Sequence, residues 1–167
     1  MKKILIVILL VLTCVSVIGC NIFDEDVEHS YQGDLVDGYA EGEGAIYQGD
    51  KIVFEGNFED GVLEGEGIYY ENEVPKYEGE FKNGIPFGRG KFYEEGKLLF
   101  KGDIIKNEGE EMVLDGILYN EESEPFFSGE ITMIGNELVF PDYGKLLNPD
   151  GTVFYEGELE DGMPKDE

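Results

Sequence analysis

A short motif recurs six times along the chain and constrains its fold more than any other feature. It consists of an aromatic residue, any residue and a glycine, and its first four copies are spaced 23 residues apart. Regular spacing of this size indicates a repeat architecture, in which each repeat packs against its sequence neighbours. The aromatic residues are Tyr31, Phe54, Tyr77, Phe100, Phe127 and Tyr155, and the motif glycines are Gly33, Gly56, Gly79, Gly102, Gly129 and Gly157.

A turn signal follows most copies of the motif. Asp-Gly and Asn-Gly pairs are the strongest short signal for a β-hairpin, because a type I′ turn needs positive φ at both central residues. In the first three repeats a Gly-x-Gly pair comes next, so each repeat is predicted to form one β-hairpin. The turn pairs are Asp37-Gly38, Asp60-Gly61, Asn83-Gly84 and Asp161-Gly162, and the Gly-x-Gly glycines are Gly42 and Gly44, Gly65 and Gly67, and Gly88 and Gly90.

Alternation within the motif assigns its residues to two faces of a strand. In the third repeat Tyr77, Gly79 and Phe81 share one face, while Glu78 and Glu80 point to the other. Glycine inside a strand costs about 0.5 to 1 kcal/mol relative to alanine, so its repetition needs a reason. The missing side chain leaves room for an aromatic ring from the neighbouring strand to lie across the backbone, or it lets the sheet curl.

The pattern resembles the MORN repeat, which carries an aromatic-x-Gly unit, a glycine five residues on and a Gly-x-Gly pair. The resemblance covers residues 31–162, about five and a half repeats, and implies an all-β, repetitive antiparallel β-hairpin meander in a single-layer ribbon. About eleven strands would make this ribbon on the order of 50 Å long. Asn107 replaces the turn glycine in the fourth repeat, and only Gly144 remains of the Gly-x-Gly pair in the fifth. Those two hairpins are therefore expected to be longer or bulged.

The first twenty residues, MKKILIVILLVLTCVSVIGC, have a basic start, an apolar run and a terminal cysteine. This arrangement is typical of an export signal, expected to be helical, and its VIGC end resembles the lipobox of bacterial lipoproteins. The resemblance implies that residues 1–19 are a lipoprotein signal peptide and that Cys20 carries lipid, with acyl chains such as palmitate. Residues 20–30 would then be an acidic tether and residues 163–167 a C-terminal tail. An uncleaved helical anchor is the alternative, and both place the repeats outside the cytoplasmic membrane of a bacterial envelope.

The charge of the chain excludes one class of partner. Asp and Glu number 38 against 12 Lys and Arg, which gives a formal net charge of -26. A chain this acidic repels phosphate backbones, so nucleic acid is excluded as a partner.

The sequence offers little for catalysis. Its one histidine, His29, falls in the predicted tether, and neither cysteine is expected to be a free thiol, so no nucleophile and base can be paired. We therefore expect a non-enzymatic protein without a cofactor.

Cation binding is the more serious possibility. Carboxylates on the polar face could attract hard cations such as Ca²⁺, but they form stripes rather than a ligand loop, so only weak binding of divalent cations is expected. The acids considered are Glu78, Glu80, Asp103, Glu130, Glu156 and Glu158.

The aromatic face raises a question about function. A single sheet has no second layer to cover its apolar side, so the sheet either curls on itself or leaves a groove open for a partner. The residues of this face include Phe54, Tyr69, Tyr77, Phe81, Phe92 and Phe100.

The sequence thus predicts a lipid-anchored interaction or scaffolding module with an unknown protein partner. Two alternatives remain: an immunity-like binding protein, since the repeats also resemble a bacterial family of antitoxins, and an acidic cation-binding surface protein.

Overall fold

A computed structural model describes residues 29–108, 111–134 and 137–165. These residues form one antiparallel meander of thirteen strands and no helix, which confirms the all-β architecture and adds two strands to the expected number. The sheet order follows the chain order, except that β10 branches from β9. The strands are β1 (His29–Val36), β2 (Tyr39–Gln48), β3 (Lys51–Glu59), β4 (Val62–Glu71), β5 (Val74–Lys82), β6 (Ile85–Glu94), β7 (Lys97–Glu108), β8 (Glu111–Tyr119), β9 (Pro125–Ile134), β10 (Glu137–Val139), β11 (Tyr143–Leu147), β12 (Val153–Glu160) and β13 (Met163–Pro164).

The ends of the sheet extend past the predicted repeat boundaries. His29 and Ser30, assigned to the tether from sequence, belong to β1 and pair with Gln48 and Tyr47. The short strand β13 pairs with β12, although the tail was predicted to begin at residue 163. The predicted signal peptide and its helix, Cys20 and tether residues 20–28 lie outside the described residues. Within the described ranges, no helix is long and apolar enough to cross a bilayer.

The hairpin turns and the Gly-x-Gly pairs have distinct backbone requirements. Asp60 and Gly61 have φ of 49° and 83°, as a type I′ turn requires. Gly65, the first glycine of its pair, has φ of 84° and lies where the register of β3 against β4 shifts between Gly56 and Phe58. A bulge of this kind needs a left-handed residue, which glycine supplies without steric cost. The second glycine of the pair has another role.

Glycines of neighbouring strands lie directly opposite one another and form a row across the sheet. Gly67 pairs with Gly56 on one side and with Gly79 on the other, and the same pairing continues strand after strand. We call this the glycine row. Its members are Gly33, Gly44, Gly56, Gly67, Gly79, Gly90, Gly102, Gly116 and Gly129, followed on the last strands by the pair Gly144 and Gly157.

Aromatic rings fill the space above the glycine row. A Cβ added to Gly90 would lie 2.5 Å from the Tyr77 hydroxyl oxygen, and one added to Gly79 would lie 2.7 Å from the same atom. The ring therefore covers the glycine of its own strand and the glycine opposite. The expected ring from a neighbouring strand is found at Gly67, which Phe81 of the adjacent strand reaches, and a ring of the same strand covers Gly79 in addition.

The aromatic side of the sheet, which we call the inner face, is buried without a second layer among the described residues. Phe54, Tyr77, Phe100 and Phe127 expose 2% of their surface or less. Neighbouring rings of the inner face cover one another, as Phe54 and Phe81 do with centroids 6.4 Å apart, so the alternative of an open aromatic groove does not hold along the middle of the ribbon. Tyr31 and Tyr155, in the first and last repeats, are partly buried.

The fourth and fifth hairpins depart from the others, as their motifs predicted. Strand β7 has 12 residues and a bulge between Ile104 and Lys106. In the fifth repeat the returning strand is split into β10 and β11, which both pair with β9.

Candidate interaction surface on the outer face

The face opposite the aromatic rings, which we call the outer face, carries charged side chains on both sides of the glycine row. A shallow depression of about 330 Å³ lies over Gly79, Gly90 and Gly102 in the middle of the sheet. The side-chain positions of these glycines point to the rings of the inner face, so the backbone forms the floor of this depression on the outer face. We call it the central trough, and its rim consists of Glu66, Glu78, Arg89, Lys91, Lys101 and Asp103.

Two of the cations on the rim are already paired. The Lys91 ammonium lies 3.0 Å from a Glu78 carboxylate oxygen, and the Arg89 guanidinium lies 3.2 Å from a Glu80 oxygen. Glu78 also accepts a hydrogen bond of 2.8 Å from the Tyr93 hydroxyl. Hydrogen bonds from Tyr93 and then from Lys91 lower the pKa of Glu78, so its carboxylate is ionised at neutral pH.

Lys101 differs from the other two cations. It lies opposite Lys91 across the β6 and β7 pair, and no carboxylate among the described residues forms an ion pair with it. Its side chain is exposed. Lys101 therefore leaves a positive charge at the trough that can receive an anionic group.

Cations are concentrated around this part of an otherwise acidic chain. Seven of the 12 lysines and arginines fall between positions 76 and 106. They are Lys76, Lys82, Arg89, Lys91, Lys97, Lys101 and Lys106.

The acids proposed from sequence as cation ligands are distributed along the sheet. Glu156 lies 3.6 Å from the Lys145 ammonium, and Glu158 lies 3.3 Å from that of Lys165. Glu78 and Glu80 form the rim pairs described above. Asp103 and Glu130 both lie opposite Asp115, one on each side, and this is the densest run of carboxylates. Within the described ranges, no group of three potential ligands is arranged to hold a metal ion.

A buried ion pair lies where β5 begins and β6 ends, at the end of the third hairpin away from its Asn83-Gly84 turn. The Lys76 ammonium is 2.9 Å from Glu94 and 3.2 Å from Glu71. The positions equivalent to Lys76 in the neighbouring repeats are Val53 and Leu99, so a charge replaces an apolar side chain here. Burial alone would lower the pKa of Lys76, but hydrogen bonds to Glu94 and Glu71 outweigh it and leave that pKa raised.

A second depression, of about 310 Å³, opens at the first repeat. Tyr31, Leu35, Tyr39 and Phe58 are among its lining residues, and Leu35 and Tyr39 are each 61% exposed. We call it the N-terminal cleft. It is the place where the inner face ends and no preceding described repeat covers it.

The six motif glycines and six motif aromatics predicted from sequence share the inner face, where Phe54, Tyr77, Phe100 and Phe127 belong to the core and Tyr31 and Tyr155 are partly buried against it. Cys20 lies outside the described residues. Sequence reasoning missed the central trough, because no local motif marks it. The clustering of cations between residues 76 and 106 was the signal that could have indicated it.

Comparison with known protein families agrees with this architecture. The sequence profile of the MORN repeat matches residues 31–50, 54–72 and 77–96, about a third of the chain. The first three hairpins are therefore MORN repeats. A search of curated proteins found no match to the chain.

Proposed function

We propose that the chain is a non-enzymatic lipoprotein, anchored through Cys20, whose MORN-repeat ribbon binds a protein outside the cytoplasmic membrane. The central trough would be the contact surface. The observation that carries the proposal is the accessible Lys101 ammonium beside a glycine floor, in a chain whose net charge is -26.

The chemistry of the trough suggests what the partner presents. A carboxylate of the partner would approach Lys101, while its cationic groups would face Glu66 and Asp103 on the rim. Complementary charges of this kind orient the two proteins as they meet and disfavour binding of other proteins. They contribute less to the affinity of the complex. The acidic remainder of the chain would repel an acidic partner elsewhere, so binding would be directed to the middle of the ribbon.

Crosslinking in intact envelopes tests this surface. A tagged wild-type chain is expected to crosslink reproducibly to one or a few proteins, which mass spectrometry identifies. Lys101→Glu is expected to reduce that product at least tenfold, while Lys51→Glu, an exposed change of the same kind on β3, leaves it unchanged. Undiminished crosslinking by Lys101→Glu would exclude the trough. A toxin among the products would identify an immunity-like role.

Labelling with a fatty-acid analogue tests the anchor. The wild-type chain is expected to incorporate the label, and Cys20→Ser is expected to lose it, because the thiol is the acceptor. Label retained in Cys20→Ser would overturn the lipid attachment, whereas Cys14→Ser is the matched control and should be labelled normally.

A further inference from the structure

The first strand lies at an edge of the sheet and has the features of a pairing edge. Among the described residues, no strand pairs with the outer side of β1. Proteins commonly protect such edges with lysine, proline or a very short strand. In contrast, β1 has eight residues, HSYQGDLV, without lysine or proline, and Leu35 and Val36 within it are exposed.

The glycine row indicates how another strand would align with β1. Gly33 pairs with Gly44 of β2. Every neighbouring strand pair from β1 to β9 likewise places a glycine opposite a glycine. A second copy of β1, related by a two-fold axis, continues the row if its Gly33 lies opposite Gly33. In this register Tyr31 lies opposite Leu35 of the second copy, and Gln32 lies opposite Asp34 of the second copy.

This register supplies the contact that Leu35 lacks. In later repeats the equivalent residue covers an aromatic ring of the repeat before it. Phe58 packs edge-on against Tyr31 with ring centroids 5.2 Å apart, and Phe81 packs against Phe54 at 6.4 Å. Phe58 is 2% exposed, whereas Leu35 is 61% exposed because no described repeat precedes it. Those contacts span two strands, whereas the Tyr31 ring of a second copy would lie on the adjacent strand, directly opposite Leu35, and would cover Leu35 and the N-terminal cleft from there.

Charge distinguishes β1 from β12, the last long strand of the sheet, which the two-residue strand β13 covers only at its end. In β12, VFYEGELE, the same alignment about Gly157 would set Glu156 opposite Glu158 of the second copy. Like charges directly opposite destabilise a strand pair. β1 carries Asp34 as its only acid, and that side chain would face Gln32, so β1 can pair with itself even in a chain of net charge -26.

We infer that the protein forms a two-fold dimer through antiparallel pairing of β1 with β1 of a second copy, with Gly33 opposite Gly33. This inference is independent of the central trough and of the lipid on Cys20. Lys101→Glu is accordingly expected to leave the dimer intact.

Sedimentation of the full chain in detergent tests the dimer. The wild-type protein is expected to sediment with twice the monomer mass at micromolar concentration. Leu35→Asp should raise the dimer dissociation constant at least tenfold, because it places two carboxylates in the new contact. Phe154→Asp, an equally exposed apolar residue on β12, is the matched control and should not change it. A monomeric wild type, a dimeric Leu35→Asp or a monomeric Phe154→Asp would each overturn the inference.

Disulfide trapping tests the register. Two differently tagged chains, one carrying Gln32→Cys and the other Asp34→Cys, are expected to crosslink when co-expressed and oxidised, since these positions are opposite. Chains with Glu156→Cys and Glu158→Cys should not crosslink. Crosslinking of the β12 pair, or its absence from the β1 pair in a dimeric protein, would contradict the alignment about Gly33.

Discussion

At the scale of single residues, the two glycines of a Gly-x-Gly pair meet different requirements. Gly65 supplies the positive φ of a bulge, whereas Gly67 lies in a tight space, because a Cβ there would lie 3.2 Å from the Phe81 ring and 3.0 Å from a backbone oxygen, and these neighbours would have to shift. The first role is conformational and the second is a matter of packing. Substitutions at the two positions are therefore expected to destabilise the fold for different reasons.

The packing role predicts a large effect at Gly79. Gly79→Val would place its Cβ 2.5 Å from the Gly90 Cα and 2.7 Å from the Tyr77 hydroxyl oxygen. Overpacking of this kind typically costs about 1 to 3 kcal/mol. Glu80→Val, one residue further on, changes the outer face and loses only an exposed ion pair with Arg89, so a change within about 0.5 kcal/mol is expected. Thermal unfolding compares the two, and a Gly79→Val melting temperature at or above that of Glu80→Val would contradict the assignment of faces.

The buried ion pair predicts that removing one charge lowers the stability of the fold, whereas removing both charges restores it. Lys76→Met should destabilise the fold by about 3 kcal/mol, because it leaves the Glu94 carboxylate buried without its partner. Lys76→Met combined with Glu94→Met removes both charges, and apolar side chains already occupy the equivalents of Lys76 in neighbouring repeats. The double variant is therefore expected to be as stable as the wild type or more stable. Urea unfolding measures both, and a double variant less stable than Lys76→Met alone would refute this account.

At the scale of the hairpin, neighbouring turns are joined by a repeated hydrogen bond. The Gly61 amide donates to the Ala40 carbonyl at 2.9 Å, and the Gly84 amide donates to that of Leu63 at the same distance. In the fourth repeat Asn107 stands where the glycine would be, and its side-chain amide donates to the Pro86 carbonyl at 3.1 Å. The longer hairpin keeps the hydrogen bond to the preceding repeat, but a side-chain amide replaces the backbone amide as its donor.

This substitution of donors can be tested at Asn107. Asn107→Asp has nearly the same shape but no amide hydrogens, so the Pro86 carbonyl loses its donor and faces a carboxylate. A loss of about 1 kcal/mol is expected in urea unfolding. Asn72→Asp, in a turn where aspartate tolerates the positive φ of 50°, controls for the added charge and should change little. Equal stability of the two variants would show that the bond to Pro86 contributes nothing.

The series of hairpins could be predicted from sequence, but their alignment could not. Alternation about Gly79 and the turn at Asn83-Gly84 are local signals, and both indicated the observed strands and faces. The glycine row depends on where each bulge falls, and a shift of one residue would move every side chain to the other face. Asn107 was recognised as a departure, but its bond to Pro86 joins different repeats. The trough at Lys101 was missed for the same reason, since its rim comes from four strands.

At the scale of the whole molecule, the net charge of -26 works against the compact state. Repulsion among so many carboxylates destabilises a folded chain, and salt screens it, with a Debye length of about 10 Å at 0.1 M. Ion pairs on the outer face reduce the repulsion locally, at Lys91, Lys145 and Lys165. Among the described residues, Asp103, Asp115 and Glu130 form no ion pair, although Arg89 lies opposite Asp103, so we expect this run to attract a cation.

We nevertheless predict that calcium binds weakly. Ca²⁺ takes six to eight oxygen ligands at about 2.3 to 2.6 Å, many of them from flexible loops that wrap the ion. The three carboxylates stand on adjacent strands, with facing Cβ atoms about 5 Å apart, and the strand carbonyls between them are engaged in the sheet. Such a row attracts ions through its overall field without enclosing one.

Calorimetry should therefore give small heats of calcium binding that disappear as NaCl rises to about 0.15 M, where screening acts over about 8 Å. Magnesium should behave in the same way. The prediction would be contradicted by a stoichiometric calcium site tighter than about 10 μM that is abolished by Asp115→Asn and absent with magnesium. Such a site would mean that these carboxylates coordinate the ion directly.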